Sequence, residues 1–487
     1  MKSILKATAV LSSASAVSIA VGLVSAKINA VLLGPEGLGY MGLLQGLVGL
    51  AALFAGMGVG SGLVRAGAKA LADEDLRRVA ALRRGAWLLC WTLGGAGVVL
   101  MILLRAPLSR VMLGGGEHTG AVVLMCAALL FGLASAVQTG LLNAHHRIGD
   151  LARISMLSSL LGVPLGLLLI WLWRERGVPL AVLAGFSVNW AVSYYFVRGG
   201  RYAPAAHLPR AEVFAATRAL LHFGVPFTGS MLVGAGVQML MPVLVLHALS
   251  RADVGFYRAA AAVAVNYLSF LLTAMGQDFY PRVSAASDRP AALTQLVNEQ
   301  QRLVLLLAGP IIVGMLALVP YLVPLIYSPQ FSPAIELLEW QLIGDLFRFA
   351  IWPASMVILT RNGSTTFFLT ELAGGTCLLL TSWLGMHWFG LAGLGMAFTF
   401  SAILHFSLCV LILWRTLRLR WATENKLLFA MLVLFAFIVR VLPYAGFGSL
   451  RTPVALTLAS VAGLGSAYIL WGAVGGLKGL LAWRKSG

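Results

Sequence analysis

The sequence predicts an all-α polytopic membrane protein of about fourteen transmembrane helices, arranged as two parallel six-helix repeats followed by two further helices. Three observations carry this. Of the 487 residues, 60% are apolar and only 11% charged, where soluble domains carry roughly 25% charged residues. Apolar runs of about 20 residues recur along the whole chain between short polar segments. Weak similarity also recurs at offsets of 213 and 216 residues. The mean hydropathy of +0.90 excludes a soluble protein.

The predicted spans are 7–33, 38–64, 85–104, 120–142, 154–173, 179–197, 221–248, 253–279, 303–326, 338–360, 367–388, 391–413, 427–445 and 453–475. In the first, Lys2 and Lys6 precede an apolar stretch ending in Val24-Ser25-Ala26, which resembles a signal-peptide cleavage site. The apolar run continues through Ile28 to Leu33, so the 27 residues from Ala7 predict an uncleaved membrane helix. The connections are short and leave no sizeable soluble domain. Longer basic connectors follow the second, sixth, eighth and twelfth spans.

The net charge is +18, from 35 Lys+Arg against 17 Asp+Glu. A nucleic-acid-binding protein would gather this excess on one face or tail. Here the basic residues sit in short clusters between apolar runs. With a cytoplasmic N-terminus, 25 of the 35 fall on the cytoplasmic side, 8 on the other, and Lys27 and Arg348 lie within helices. This bias predicts that both termini are cytoplasmic. Cys90, Cys126, Cys377 and Cys409 lie far apart inside apolar runs and read as small buried hydrophobes. His222, His387 and His405 lack metal-ligand spacing, and His145-His146 is a loop pair. No metal and no cofactor are expected.

The repeat begins with Gly37-Leu38-Gly39-Tyr40 after the first span and Asp253-Val254-Gly255-Phe256 after the seventh. Gly39 and Gly255 lie 216 positions apart, as do Gly60 and Gly276 near the ends of the following spans. Residues 177–181 match 390–394 at offset 213. Six helices per repeat give both copies the same orientation, as in transporters built from parallel repeats. The predicted divisions are 1–200 for the N-terminal lobe, 201–415 for the C-terminal lobe, and 416–487 for the last two helices and a cytoplasmic tail.

Two stretches carry a family resemblance. One is Leu33-Gly34-Pro35-Glu36-Gly37-Leu38-Gly39 with the glycine run at 56–62. The other is Glu339-Trp340-Gln341-Leu342-Ile343-Gly344-Asp345-Leu346-Phe347-Arg348 with Phe368-Leu369-Thr370-Glu371-Leu372. Over roughly residues 1–415 the chain resembles the Wzx-type flippases of lipid-linked oligosaccharides, including O-antigen translocases and lipid III flippases. These belong to the multidrug/oligosaccharidyl-lipid/polysaccharide exporter superfamily. The resemblance implies two six-helix lobes around a central cavity in the bacterial inner membrane. It also implies movement of an undecaprenyl-pyrophosphate-linked glycan from the cytoplasmic to the periplasmic leaflet, with no bond made or broken. A polysaccharide polymerase and chain-length machinery are the partners such a cargo implies, together with the lipid bilayer. Lipid III flippases often have twelve helices, so the fourteen read here do not assign the glycan.

A pyrophosphate and a glycan need a hydrated, cation-lined path, and charges within spans cost about 2.5–3.5 kcal/mol each on insertion scales. The candidates are therefore few. Arg348 lies about 15 Å into its span at 1.5 Å per residue. Asp345, three residues earlier, shares its face. The two form either a structural ion pair or a substrate-binding cation whose carboxylate partner is exchanged for phosphate. Glu371 either joins them, carries a coupling proton or sodium ion, or stands exposed at a helix end. Lys27, with Asn29 beside it, and Arg258 are candidate phosphate ligands or snorkelling cations. Asp278 and Arg65 sit near helix ends. Gln45, Gln138, Asn189, Gln238 and Asn266 offer hydrogen bonds to sugars or between helices. The glycine run 56–62 has no preceding strand and no following GK[ST], so it is not a phosphate loop. It serves close helix packing or bending, and the same applies to Gly162-Val163-Pro164-Leu165-Gly166.

Two other function classes remain. A drug/cation antiporter of the same superfamily would favour acidic residues in the membrane. A membrane glycosyltransferase or polymerase needs a catalytic aqueous loop with paired carboxylates, and the short outer loops offer none.

Overall fold

The computed structural model describes residues 2–198, 208–286, 289–361, 363–447 and 450–473. By contacts the chain divides into two compact units. One is Met1–Arg258 with Ile326–Ser328, and the other is Ala259–Leu325 with Pro329–Gly487. The described residues are almost entirely helical, as segments must be when their backbone polar groups cannot reach water.

The first unit contains α1 (Lys2–Gly56), α2 (Val59–Ala72), α3 (Leu76–Leu103), α4 (Arg105–Leu113), α5 (Thr119–Ala144), α6 (Ile148–Trp173), α7 (Val178–Arg198) and α8 (Arg210–Ala248), and it includes the start of α9 (Arg251–Ala285). The second unit takes the rest of α9, then α10 (Pro290–Ile326), α11 (Pro333–Arg361), α12 (Ser364–Leu417), α13 (Thr423–Val441) and α14 (Arg451–Ala473).

α12 holds two of the predicted spans, and α1 holds the first and most of the second, each pair joined at a glycine; the second span, 38–64, is broken at Met57-Gly58 and ends in α2. Gly34 (φ 65, ψ −170) turns α1 before Pro35, and Gly390 (φ 58, ψ −139) turns α12. Both conformations are left-handed, which a glycine adopts without a Cβ penalty. At Pro35 the missing N–H suits the first turn of the next helical segment. Among the described residues, eight helical stretches are long and apolar enough to cross a membrane, and the longest two have 51 and 53 residues. Residues such as Leu103, Leu464 and Tyr468 are strongly exposed on these helices, as lipid-facing side chains would be.

The polar connectors are more helical than their composition suggested. Between the second and third spans only 73–75 leave the helix, and Asp75 caps α3 by accepting from the Arg78 backbone N–H at 2.9 Å. The connection after α3 forms the nine-residue α4, closed by Gly114 in the left-handed region. The thirteenth span ends early: α13 stops at Val441 and residues 442–446 form turns.

The glycine run proves to be a packing device with a built-in break. Met57 and Gly58 interrupt the helix with positive φ. A Cβ on Gly58 would run into the Gly224 carbonyl oxygen of α8 at 2.5 Å, and one on Gly62 would crowd the Leu220 carbonyl oxygen. Gly60 faces α5, where Gly140 reciprocates. The repeat-matched Gly39 and Gly255 also meet. A Cβ on Gly39 would strike the Arg251 carbonyl oxygen, and one on Gly255 the Pro35 carbonyl oxygen.

In the second unit a buried core of Phe279, Val283, Leu293, Val297, Ile351 and Val357 joins α9, α10 and α11. The last two helices are tied to α11 by charge. Arg440 Nη2 of α13 lies 2.5 Å from Glu336 Oε1, and its Nε is 3.6 Å from Glu339 Oε2. Arg451 of α14 pairs with Glu339 Oε1. The Arg440 guanidinium also lies over the rings of Trp340, at 5.1 Å, and Tyr444, at 4.7 Å.

Candidate functional site

The predicted site residues fall into two groups, one in each unit. In the second unit Arg348 lies at the middle of the 29-residue α11. Its Nη1 is 3.0 Å from Asp345 Oδ1, so the predicted ion pair is present. The partners are unequal. The Arg348 side chain is 50% exposed and the Asp345 side chain 2%. Asp345 Oδ2 is buried without a hydrogen-bond partner. The guanidinium also lies 5.3 Å from the centre of the Phe398 ring on α12. That close approach of α12 needs Gly344, where a Cβ would collide with Phe398. The sequence therefore builds a cation held from behind by a buried carboxylate, flanked by an aromatic face, and open on its remaining side. Such a guanidinium has donors left for an anionic oxygen.

Glu371 pairs elsewhere. Its Oε1 is 3.6 Å from Nε2 of His405, which also lies 3.5 Å from Cys409 Sγ. His405 Cδ2 rests against Gly374, one turn beyond Glu371. Both Glu371 and Arg348 act electrostatically on His405. In the sequence His405 has no metal-ligand pairing, although Cys409 stands one turn further on. Its carboxylate partner is on the other half of α12, beyond the Gly390 turn, so no local spacing announces it.

In the first unit Asn29 and Arg258 converge on Gln45. Arg258 crosses α1 at Gly42, where a Cβ would meet its Nε at 2.7 Å, and its Nη2 donates to Gln45 Oε1 at 2.7 Å. Gln45 and Asn29 both line a cavity of about 500 Å³ between α1, α6 and α7. Lys27 does not line this cavity. It sits two residues, about 200° of helix rotation, from both Ser25 and Asn29, so it lies on another face of α1. Lys27 is half-buried there.

The other candidates are scattered. Asp278 and Asn266 lie in α9, but their side chains are outside those the structure describes. Arg65, Gln238, His222 and His387 are exposed. Gln138 is buried in α5 with neither amide atom hydrogen-bonded. Among the described residues, no group of three or more His, Cys, Asp or Glu side chains is arranged to hold a metal ion.

Known proteins match this architecture. The chain is 24% identical to the lipid III flippase of Escherichia coli (strain K12) over 426 residues, covering 85% of this chain and 99% of that protein. The lipid III flippase of Shigella flexneri matches equally. In three dimensions it resembles the lipid II flippase MurJ in an inward closed conformation, with a TM-score of 0.69, 14% identity, and 95% and 99% of the two chains covered. It also resembles an inward-facing multidrug resistance MATE family transporter of the MOP superfamily, with a TM-score of 0.64, 17% identity, and 85% and 95% covered. The sequence profile of one family matches residues 28–336, more than half of the molecule, and the chain therefore belongs to the polysaccharide biosynthesis protein family.

Proposed function

We propose that this chain is a flippase that moves an undecaprenyl-pyrophosphate-linked oligosaccharide from the cytoplasmic to the periplasmic leaflet of a bacterial inner membrane. An O-antigen, enterobacterial-common-antigen-like or exopolysaccharide repeat unit is the cargo. The observation that carries this reading is the match to the E. coli lipid III flippase along 99% of that protein. The geometry agrees with it. Arg348, half-exposed at the middle of a long apolar helix, would hold a phosphate while the lipid tail stays in the bilayer. Asp345 would keep the guanidinium oriented between substrates.

Access alternates between the two six-helix lobes, 1–200 and 201–415, around a central cavity, with 416–487 appended and both termini cytoplasmic. Glu371, with Asp345 and Asp278, is the candidate for coupling to protons or sodium. A polysaccharide polymerase and chain-length machinery would receive the product. A drug/cation antiporter would need carboxylates facing its substrate, and among the described residues that line the first-unit cavity there is none.

Deleting the gene tests the proposal. Lipid-linked repeat units should accumulate on the cytoplasmic side and surface glycan should disappear. Normal surface glycan in the deletion strain would overturn it.

A further inference from the structure

The cavity in the first unit has a chemical character of its own. Among the described residues its polar lining consists of Ser25, Asn29, Gln45, Ser158, Ser159 and Asn189, and none of the lining side chains is ionisable. An inorganic cation or a cationic drug would want a carboxylate there, and a pyrophosphate would want a cation. Arg258 comes close, but its guanidinium is spent on Gln45 and it is not part of the lining. The volume of about 500 Å³ lies within the range of ligand pockets, roughly 300–1,000 Å³.

The hydrogen bonds already made determine which groups remain. Arg258 occupies Gln45 Oε1, so Gln45 presents its amide N–H groups. Ser158 Oγ donates to Asn189 Oδ1 at 3.2 Å, so Asn189 likewise presents its amide as a donor. Asn29 is oriented the other way. Its Nδ2 donates to Ser25 Oγ at 3.2 Å, and its Oδ1 is buried with no partner at all. A ligand that donates to this acceptor supplies the hydrogen bond it lacks. Phe186 adds an aromatic side chain to the lining, where Gly162 and Gly166 of α6 pack closely against α7. Fixed neutral donors and acceptors around an apolar wall match a ring that carries both hydroxyl groups and a C–H face.

On this basis we propose that the first unit carries a binding pocket for one uncharged sugar ring, which accepts from the Gln45 and Asn189 amides and donates to Asn29 Oδ1. This rests on the flippase reading: the ring is part of the carried glycan, and the pocket is where glycan identity is sensed.

The test uses the full chain in lipid nanodiscs and, as probes, the methyl glycosides of glucose, galactose, N-acetylglucosamine and rhamnose. Saturation-transfer NMR should show at least one glycoside receiving magnetisation from the protein. Asn29→Leu and Asn189→Leu should each weaken that glycoside by about three- to tenfold, the loss of one neutral hydrogen bond. Leu161→Ala, on the exposed side of α6, should leave it unchanged. Each variant is compared as a monodisperse peak, and two pocket variants are used so that one misfolded protein does not decide the outcome. Transfer to no glycoside, or equal transfer in both leucine variants, would overturn the pocket. Failure of the wild-type chain to restore glycan export in a deletion strain would overturn the flippase reading instead, and the binding measurement does not depend on it.

Discussion

Removing the carboxylate of Glu339 should destabilise the second unit more than any other single charge removal in its network. Glu339 is 3% exposed and holds Arg451, while Arg440 Nε lies 3.6 Å away. After Glu339→Ala, Arg440 keeps Glu336 and the rings of Trp340 and Tyr444. Arg451 keeps only the Leu316 carbonyl oxygen at 3.4 Å. Breaking a buried ion pair by deleting one partner costs about 3–5 kcal/mol. The Arg451 side chain retains 14% exposure, which puts the expected loss near the lower end, about 3 kcal/mol. Glu336 is 43% exposed, so Glu336→Ala should cost less, about 1 kcal/mol. Cys409 of the second unit is buried, whereas Cys377 is only half-buried, against the expectation from sequence; with Cys377 replaced by serine, reaction of Cys409 with a thiol-reactive dye follows unfolding of that unit in detergent. The double variant Glu339→Ala/Arg451→Ala removes the stranded cation together with its partner. It should be more stable than the two single losses combined predict, by about 1–3 kcal/mol. Equal losses for Glu339→Ala and Glu336→Ala, or strict additivity in the cycle, would refute this account of the network.

Three further predictions follow from the geometry. Arg348→Ala should cut glycan export by about 10- to 100-fold at matched membrane levels, the worth of a charge-assisted hydrogen bond. Arg348→Lys should recover part of it, because the charge stays but the planar fork is lost. Export equal to wild type in Arg348→Ala would show that the ion pair is only structural. Gly39→Ala and Gly255→Ala should each lower thermal stability by about 1–3 kcal/mol, since the added methyl meets a backbone carbonyl oxygen, whereas Gly95→Ala, with open space beside it, should not. Glu371→Gln should flatten the response of flux to an imposed proton gradient in liposomes. An unchanged response there would remove Glu371 from the coupling machinery.

How much of this was legible in the sequence depended on distance along the chain. The helix breaks at Gly34 and Gly390 fall where the apolar runs were divided, because left-handed glycines coincide with gaps in hydropathy. Asp345 and Arg348 were readable as a pair because three residues place them on one helical face. The contact of His405 with Glu371 was not readable, because the two stand 34 positions apart on either side of a turn. Neutral side chains hid the cavity. Ser25, Ser158 and Asn189 carry no charge and come from three segments, and only Ser25 and Asn29 share a local spacing. In the sequence Arg440 and Arg451 stand as charges at helix ends. Nothing in their spacing pointed to Glu336 and Glu339 more than 100 positions earlier.

That last network bears on protein engineering. The final two helices follow the six-helix repeats and look like a detachable module. They are not. A chain truncated after 415 would take from Glu339 on α11 both of its counter-ions, Arg440 and Arg451, and uncover a carboxylate that is buried in the intact protein. Conversely, α13 and α14 placed on a relative without carboxylates at the positions of Glu336 and Glu339 would bring two arginines with no acceptor for them. A successful graft would have to move four residues together, Glu336, Glu339, Arg440 and Arg451, so the unit of exchange between such transporters is the charge quartet and the helices that bear it.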